Sequence, residues 1–568
     1  MRLSTDEDRD EGRALATLGA ALAAGVEMLD TARAYGRDES DAGHNERLVA
    51  RAIAAWTGPG RPRVITKCGM RRDGGAWIPD GRASRILADA RASAEALGGP
   101  VDLLLLHAPD PRTSLATAAR ALARARSEGL AREIGVSNVS RKQLEEIVAH
   151  APIRAIEVAL GACDDLAVRS GVVAFAIARG LEIFAHAPLG GPERAPRLAR
   201  DRALAELAAS RGTPATSAEL VLAYLLAVHP ALRPIVGARR PERIASLVRA
   251  ESLVLEEEEL RSLDARFPVL GTLRRPPSPS RTGAEVVLLM GVPGAGKSRC
   301  AERYVARGYE RLNRDTLGGT LRGIVRRLDD RLREGAQRVV LDNTYVTRAT
   351  RNDVVRTAHA RGASVRCVFF DTPPHEAQHN IVQRMLDRFG RVLDPQEIAA
   401  LGKAEPTALP PSALLRMTRD LEPPAADEGF AAIERVPFVR QPHEARRRPA
   451  VALALGAFDD ATRALVLERL ADDVPAEAAC VLVAWLPGVD DPARDRARRF
   501  AAEIASATGR LVEMAICPHP AGPPLCWCRP PLPGLWVEVA HRHGLALAPP
   551  KPGDASGGAS IRRGRGSR

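Results

Sequence analysis

The sequence predicts a multidomain α/β protein. It begins with a (β/α)8 TIM barrel whose first strand is incomplete, continues with a nucleotide-binding α/β domain, and closes with a small α/β segment. Three observations carry that prediction. Apolar, strand-like runs alternate with amphipathic helical stretches through the first half of the chain. At 285–298 an apolar strand, "EVVLLM", runs directly into the glycine-rich loop "GVPGAGKS". Two breaks rich in Pro, Ser and Arg, at 274–283 and 440–450, divide a chain of 568 residues that is too long for one core. The expected parts are residues 1–270, a linker at 271–284, residues 285–440, a linker at 441–450, residues 451–548, and a disordered basic tail at 549–568.

In the first part the strand-like runs fall at 26–32, 63–69, 101–107, 132–138, 153–159, 181–188 and 233–239. Runs this apolar suit strands buried on both faces, as in a parallel sheet, and their alternation with helices suits a barrel. An eighth strand should precede the helix expected at 10–24, and "MRLST" is its only trace.

Barrel chemistry sits where strands end. Asp30, Lys67 and His107 end three successive strands, and Tyr35 lies in the loop after Asp30. Reduction of a carbonyl by hydride needs a proton donor for the developing alkoxide. A tyrosine, with a pKa near 10, is a poor acid-base group at neutral pH unless a lysine cation held by a carboxylate lowers it. The words "LDTARAYG", "NERLV", "ITKCG", "LLLLHAPD", "GLAREIGVSN" and "PIVGARRPERI" follow one another across 20–250. In their order and spacing this part of the chain resembles the aldo-keto reductases.

The resemblance implies that Tyr35 is the general acid, that Lys67 and Asp30 tune it, and that His107 positions a small carbonyl substrate. It implies that Ser137 and Asn138 hold a nicotinamide carboxamide and that Gly237, Arg239 and Arg243 meet adenosine phosphates, with NADP favoured over NAD. Glu157 stands where the family usually has a glutamine for the carboxamide, and His186 near where an aromatic ring stacks on the nicotinamide. A barrel that binds NADP as a sensor and does no chemistry is the alternative.

In the second part Gly291, Pro293, Gly294, Ala295 and Gly296 form the loop, Lys297 reaches the β and γ phosphates of ATP, and Ser298 binds Mg2+. Asp315, in "NRDTLG", can take the proton of an attacking hydroxyl; its structural alternative is a helix N-cap. A second strand ends in Asp342-Asn343-Thr344, and a lid-like helix carries Arg384, set to offset phosphoryl charge. "NRDTLG", "VVLDNT", "EAQHN" ahead of Arg384, and "EGFAAIERVPF" at 428–438 resemble the polynucleotide 5′-hydroxyl kinases, notably the kinase half of polynucleotide kinase-phosphatases. That resemblance implies Asp315 as general base, Arg384 as lid arginine, Asp342, Asn343 and Thr344 on the acceptor side, and a nucleic-acid 5′ end, RNA or DNA, as partner. A small-molecule kinase acting on a polyol or sugar from the barrel's pathway is the alternative.

The third part sets Cys517, His519, Cys526 and Cys528 in one Pro/Gly-rich loop, a spacing that can close a tetrahedral Zn2+ site. It resembles the zinc loop of haloacid-dehalogenase-type phosphatases, so a degenerate HAD-like segment is expected. The nucleophile pair that family needs is absent, because Asp459 and Asp460 are adjacent and Trp485 and Leu486 replace the usual Ser or Thr. Eight cysteines in so long a chain, a charged opening segment and no apolar run near 20 residues together suggest a cytoplasmic protein with reduced thiols and no membrane span. A net charge of +12 fits a polyanionic partner, or reflects arginine-rich composition alone.

Overall fold

The computed structural model describes residues 1–211, 215–274, 283–402, 405–440, 448–472, 474–488, 490–522 and 526–547. Most of each predicted linker and the whole basic tail lie outside the described residues. The chain divides into two compact units, Met1–Ser278 and Pro279–Arg568.

The first unit contains β1 (Met28–Asp30), β2 (Arg63–Cys68), β3 (Met70–Asp73), β4 (Ala76–Pro79), β5 (Val101–Leu106), β6 (Ala131–Ser137), β7 (Ala155–Ala159), β8 (Glu182–His186) and β9 (Leu232–Ile235). β3 and β4 form a separate antiparallel hairpin. The other seven make one parallel sheet in the order β1-β2-β5-β6-β7-β8-β9, a nearly closed barrel. Side chains alternate as buried parallel strands require. Leu103 and Leu105 meet Ile65, Ala155 and Phe184 in one cluster, while Leu104 and Leu106 join the cluster that includes the surrounding helices. At the opposite end from the strand termini, Arg63 crosses to Glu133 at 2.7 Å and Glu182 at 2.8 Å.

The seven strand-like runs supply the seven strands of this sheet, and the incomplete first strand is absent from it. "RLST" forms a short helix, Arg2–Thr5, and no described ladder joins β9 to β1. A barrel strand is buried on both faces, which a segment running into Asp6, Glu7 and Asp8 cannot be. Instead Ser4 is fully buried, and its Oγ lies 2.8 Å from both His44 Nδ1 and Asn45 Nδ2.

The second unit holds β10 (Glu285–Met290), β11 (Glu310–Leu312), β12 (Arg338–Asp342), β13 (Ser364–Asp371) and β14 (Ala432–Pro437), parallel in the order β11-β12-β10-β13-β14. β10 is central, and chain order reverses beside it, so the crevice beyond its carboxyl end is the natural ligand site. The same unit contains β15 (Arg448–Leu455), β16 (Ala479–Trp485), β17 (Val512–Cys517) and β18 (Leu545–Leu547), parallel in the order β17-β16-β15-β18. Asp459 and Asp460 begin a helix here. Asp459 Oδ1 accepts from Thr462 N at 2.8 Å, and Asp460 pairs with Arg463 at 2.7 Å.

Candidate active sites

In the barrel, Asp30 ends β1, Lys67 lies one residue before the end of β2, and His107 follows β5. The structure brings them together with Tyr35. Lys67 Nζ donates to Asp30 Oδ1 at 2.5 Å, to Thr31 O at 3.1 Å and to Tyr35 Oη at 3.3 Å. A second carboxylate joins, with Glu157 Oε2 at 3.1 Å from the same ammonium. Burial alone pulls the Lys67 ammonium down, but Asp30, Glu157 and Tyr35 together hold its pKa well above the ordinary value. Burial pushes the Tyr35 hydroxyl up, against the opposing pull of Lys67. Burial, then the neighbouring Asp30, pushes Glu157 up to about 8, although Lys67 opposes this. His107 is pushed down to about 3 by burial, then by Lys67 and His186, so it is neutral at neutral pH.

Ser137 ends β6 and is fully buried. Asn138 follows in a left-handed conformation, φ 57°, and its amide reaches His107 O at 3.1 Å and Ser137 Oγ at 3.0 Å. His186 Nε2 lies 3.1 Å from Asn138 Oδ1. Gly237 and Arg243 are exposed, Arg243 in the first turn of the helix Glu242–Ser252. Arg239 is engaged by Asp6 and Asp8, each at 2.8 Å. Arg239 is thus met by two carboxylates, and Arg243 shares the first turn of its helix with Glu242.

Trp77, which no motif singles out, joins the cluster of Tyr35 and His107. It lies on β4, edge-on to Tyr35 with ring centroids 6.1 Å apart and to His107 at 5.7 Å. Its cross-strand partner Arg72 stacks 3.9 Å from its ring centre. The signal was present in "RRDGGAWIP", because two glycines between short alternating runs mark a hairpin. Gly74 and Gly75 do take positive φ, 52° and 84°.

In the second unit, Lys297, Ser298, Asp315, Asp342, Asn343, Thr344 and Arg384 all line one cavity of 2310 Å³ at the carboxyl end of β10. The loop needs its glycines. Gly294 has φ 83°, and a Cβ there would stand 2.5 Å from Ala377 O. Lys297 Nζ donates to the carbonyls of Gly291 and Val292, each at 2.8 Å. Burial pulls its pKa down to about 8, aided by Arg384 and opposed by Asp342 and Asp315. Arg384 projects from the helix Pro374–Phe389, and burial lowers its pKa while Asp315 raises it.

Asp315 is not the N-cap. Asn313 is, accepting from Asp315 N at 2.7 Å and Thr316 N at 3.1 Å, which leaves the Asp315 carboxylate half-exposed beside Arg314 at 3.5 Å. Asp342 is buried against Arg311, with Asn313 Nδ2 at 3.2 Å. Asn343 ties the loops together, accepting from Arg314 N at 2.9 Å and donating to Leu312 O at 3.3 Å. Thr344 O accepts from Gly291 N at 3.2 Å, joining the strand end to the phosphate loop. Asn313 heads the "NRDTLG" word, but its part as the cap that frees Asp315 was not read from it, and Arg311 stands outside any motif.

The four Cys/His residues of the third segment converge, their ligand atoms all within 4.8 Å of one another. Cys517 Sγ lies 3.7 Å from Cys526 Sγ, 3.4 Å from Cys528 Sγ and 3.6 Å from His519 Nδ1. His519 Nδ1 lies 3.1 Å from Cys528 Sγ. Ligands about 2.3 Å from a tetrahedral zinc stand about 3.8 Å apart, so the donor set and its spacing fit that ion.

Comparison with known proteins matches residues 1–266 to the aldo/keto reductase family and residues 286–424 to an AAA domain family. An aldo-keto reductase of Mycolicibacterium smegmatis is 31% identical over 274 residues, covering 47% of this chain and 86% of its own length. A bifunctional polynucleotide phosphatase/kinase of Schizosaccharomyces pombe is 30% identical over 155 residues, covering 27% of this chain and 34% of its own length. Among solved structures, a thermostable aldo-keto reductase in complex with the inhibitor epalrestat is 28% identical with a TM-score of 0.39, covering 46% of this chain and 90% of that one.

Proposed function

The chain belongs to the aldo/keto reductase family through residues 1–266, and from that premise we propose a bifunctional enzyme: an NADP-dependent carbonyl reductase joined to an ATP-dependent polynucleotide 5′-hydroxyl kinase. In the barrel, Ser137, Asn138 and Glu157 would hold the nicotinamide end of the cofactor and Gly237, Arg239 and Arg243 its phosphates; when bound, it supplies hydride. Tyr35 donates its proton to the carbonyl oxygen. Lys67, 3.3 Å away, stabilises the tyrosinate left behind, and Asp30 holds Lys67 in place. Neutral His107 hydrogen-bonds the carbonyl oxygen, and Trp77 walls the substrate. The reading of Glu157 as a stand-in for glutamine is supported by its raised pKa, since a protonated carboxyl also offers one donor and one acceptor.

In the second unit the loop Gly291–Ser298 takes the triphosphate and Ser298 takes Mg2+. Lys297 and Arg384 offset the charge of the transferred phosphoryl group, and Asp315 accepts the acceptor's proton. The observation that carries the polynucleotide reading is the cavity itself. Its 2310 Å³ exceeds the roughly 300–1,000 Å³ of small-molecule sites. Arg299, Arg303, Arg314, Arg322 and Arg416 also line it, as suits a chain of phosphates. Radiolabelled ATP offered with a 5′-hydroxyl oligonucleotide or with polyols tests this; transfer to the polyols alone would overturn it.

The Cys/His tetrad holds Zn2+ in this reading, and the third segment is a catalytically silent relative of haloacid-dehalogenase-type phosphatases. Among the described residues no helix is long and apolar enough to cross a membrane, and all eight cysteines are free, as suits a cytoplasmic protein.

A further inference from the structure

We infer that the Cys517–His519–Cys526–Cys528 knot braces the wall of the phosphoryl-transfer cavity at 405–419 and at the helix that carries Arg384, so that metal occupancy governs the competence of the kinase. The inference rests on the zinc reading above and adds a function to it.

Trp527 is the link. It stands between two of the four ligands, Cys526 and Cys528, in a loop whose described residues from 518 to 533 form no helix or strand. Such a loop takes its shape from the ion it wraps. Yet Trp527 is fully buried, and among the described residues it is the largest side chain so enclosed. It joins the apolar cluster of the phosphoryl-transfer domain, with Ile398 and Leu414, as do Leu532 and Val537 of its own segment. Its indole Nε1 donates to Leu409 O at 2.8 Å. Leu409 lines the phosphate cavity, and so do Ala413 and Arg416 of the helix Pro411–Arg419 that follows.

A second contact supports the facing wall. The helix Gly534–His543, which follows the knot, packs on the helix Pro374–Phe389 that carries Arg384. His541 Nδ1 lies 3.4 Å from Gln383 Nε2, one residue before Arg384. On the segment's own side, Trp485 Nε1 donates to His519 O at 2.8 Å, and Arg529 stacks 4.2 Å from the Trp485 ring centre. The knot therefore holds two elements of the cavity wall through one indole and one helix. Loss of the ion frees the backbone on both sides of Trp527, and the polar Nε1–Leu409 contact and the apolar cluster loosen together.

The test uses the full chain. Zinc is measured in the purified protein, then removed with a chelator and restored. Backbone hydrogen exchange over 405–419 and ATP–Mg2+ affinity are read in each state, with the barrel strand 101–106 as internal control. The expected result is one zinc per chain. On stripping, exchange rises over 405–419 but not over 101–106, ATP–Mg2+ affinity falls about tenfold, and zinc restores both. Trp527→Phe guards against a knot variant that fails to fold: it should keep the metal and show the same loosening in weaker form. Unchanged exchange and affinity after stripping, with zinc present beforehand, overturn the coupling and leave the zinc reading standing. A chain purified without metal whose exchange over 405–419 and ATP–Mg2+ affinity do not change when zinc is added overturns both.

Discussion

Tyr35 and Glu157 share the Lys67 ammonium, and the two groups make opposite demands on it. In the proposed reduction Tyr35 stays protonated until the carbonyl arrives, then leaves its charge beside a cation. Tyr35→Phe should lower the reduction rate by about 10²–10⁴-fold with the fold intact, read as NADPH oxidation with a model aldehyde. A variant that still turns over normally removes Tyr35 from the mechanism. Glu157 has a folded pKa near 8, above the carboxyl's ordinary value of 4.5. The unfolded chain therefore releases its proton first, and stability falls as pH rises from about 4.5 to about 8. Glu157→Gln removes that slope. Melting curves of the two proteins should coincide near pH 4.5 and separate by about 5 °C or more at pH 8, the variant being the more stable. Parallel curves across the range would show that Glu157 ionises normally. The letters Asp30, Tyr35, Lys67 and His107 were legible in the sequence because strand ends are where a barrel gathers its polar groups. That Glu157 completes the cluster was not, because its neighbours come from other strands.

At the scale of elements, the phosphate loop and the β3–β4 hairpin make a contrast. The loop declares itself locally, through glycines that permit backbone angles other residues resist. Gly294→Ala meets both a φ of 83° and the Ala377 carbonyl at 2.5 Å, so the loop must move. Strain of this kind costs about 1–3 kcal/mol, and ATP–Mg2+ affinity should fall at least about tenfold while the melting temperature of the barrel unit stays put. Titration calorimetry reads the first and calorimetric melting the second; wild-type affinity in the variant would mean that the helix Pro374–Phe389 yields freely. The hairpin was legible as a turn through Gly74 and Gly75, but the destination of Trp77 was not, since a turn signal says nothing about which rim it covers. The N-terminal segment was legible as an incomplete first strand, and what it forms instead is a short helix, Arg2–Thr5, running into the polar Asp6, Glu7 and Asp8.

For the whole molecule the central expectation is independence of chemistry. The proposed reductase residues lie in Met1–Ser278 and the proposed kinase residues in Pro279–Arg568. Lys297→Ala and Asp315→Asn should each reduce phosphoryl transfer by about 10²-fold or more and leave aldehyde reduction unchanged. Both rates measured on one preparation decide the matter; full transfer by Asp315→Asn would reassign the general base. Three parts were legible as words separated by Pro-rich breaks. The grouping of the last two into one compact unit was not, because the contacts that join them, Trp527 to Leu409 and His541 to Gln383, span 118 and 158 residues.

What the sequence determined by itself is whatever needs only near neighbours: the barrel and phosphate-loop folds, through apolar period and glycine placement, and the identity of the groups that can donate protons or grip phosphate. The tertiary structure alone decided which groups share a charge, what the N-terminal segment packs against, and which residues the buried indole meets. Electrostatic coupling and burial depend on distance through space, and no spacing along a chain reports it.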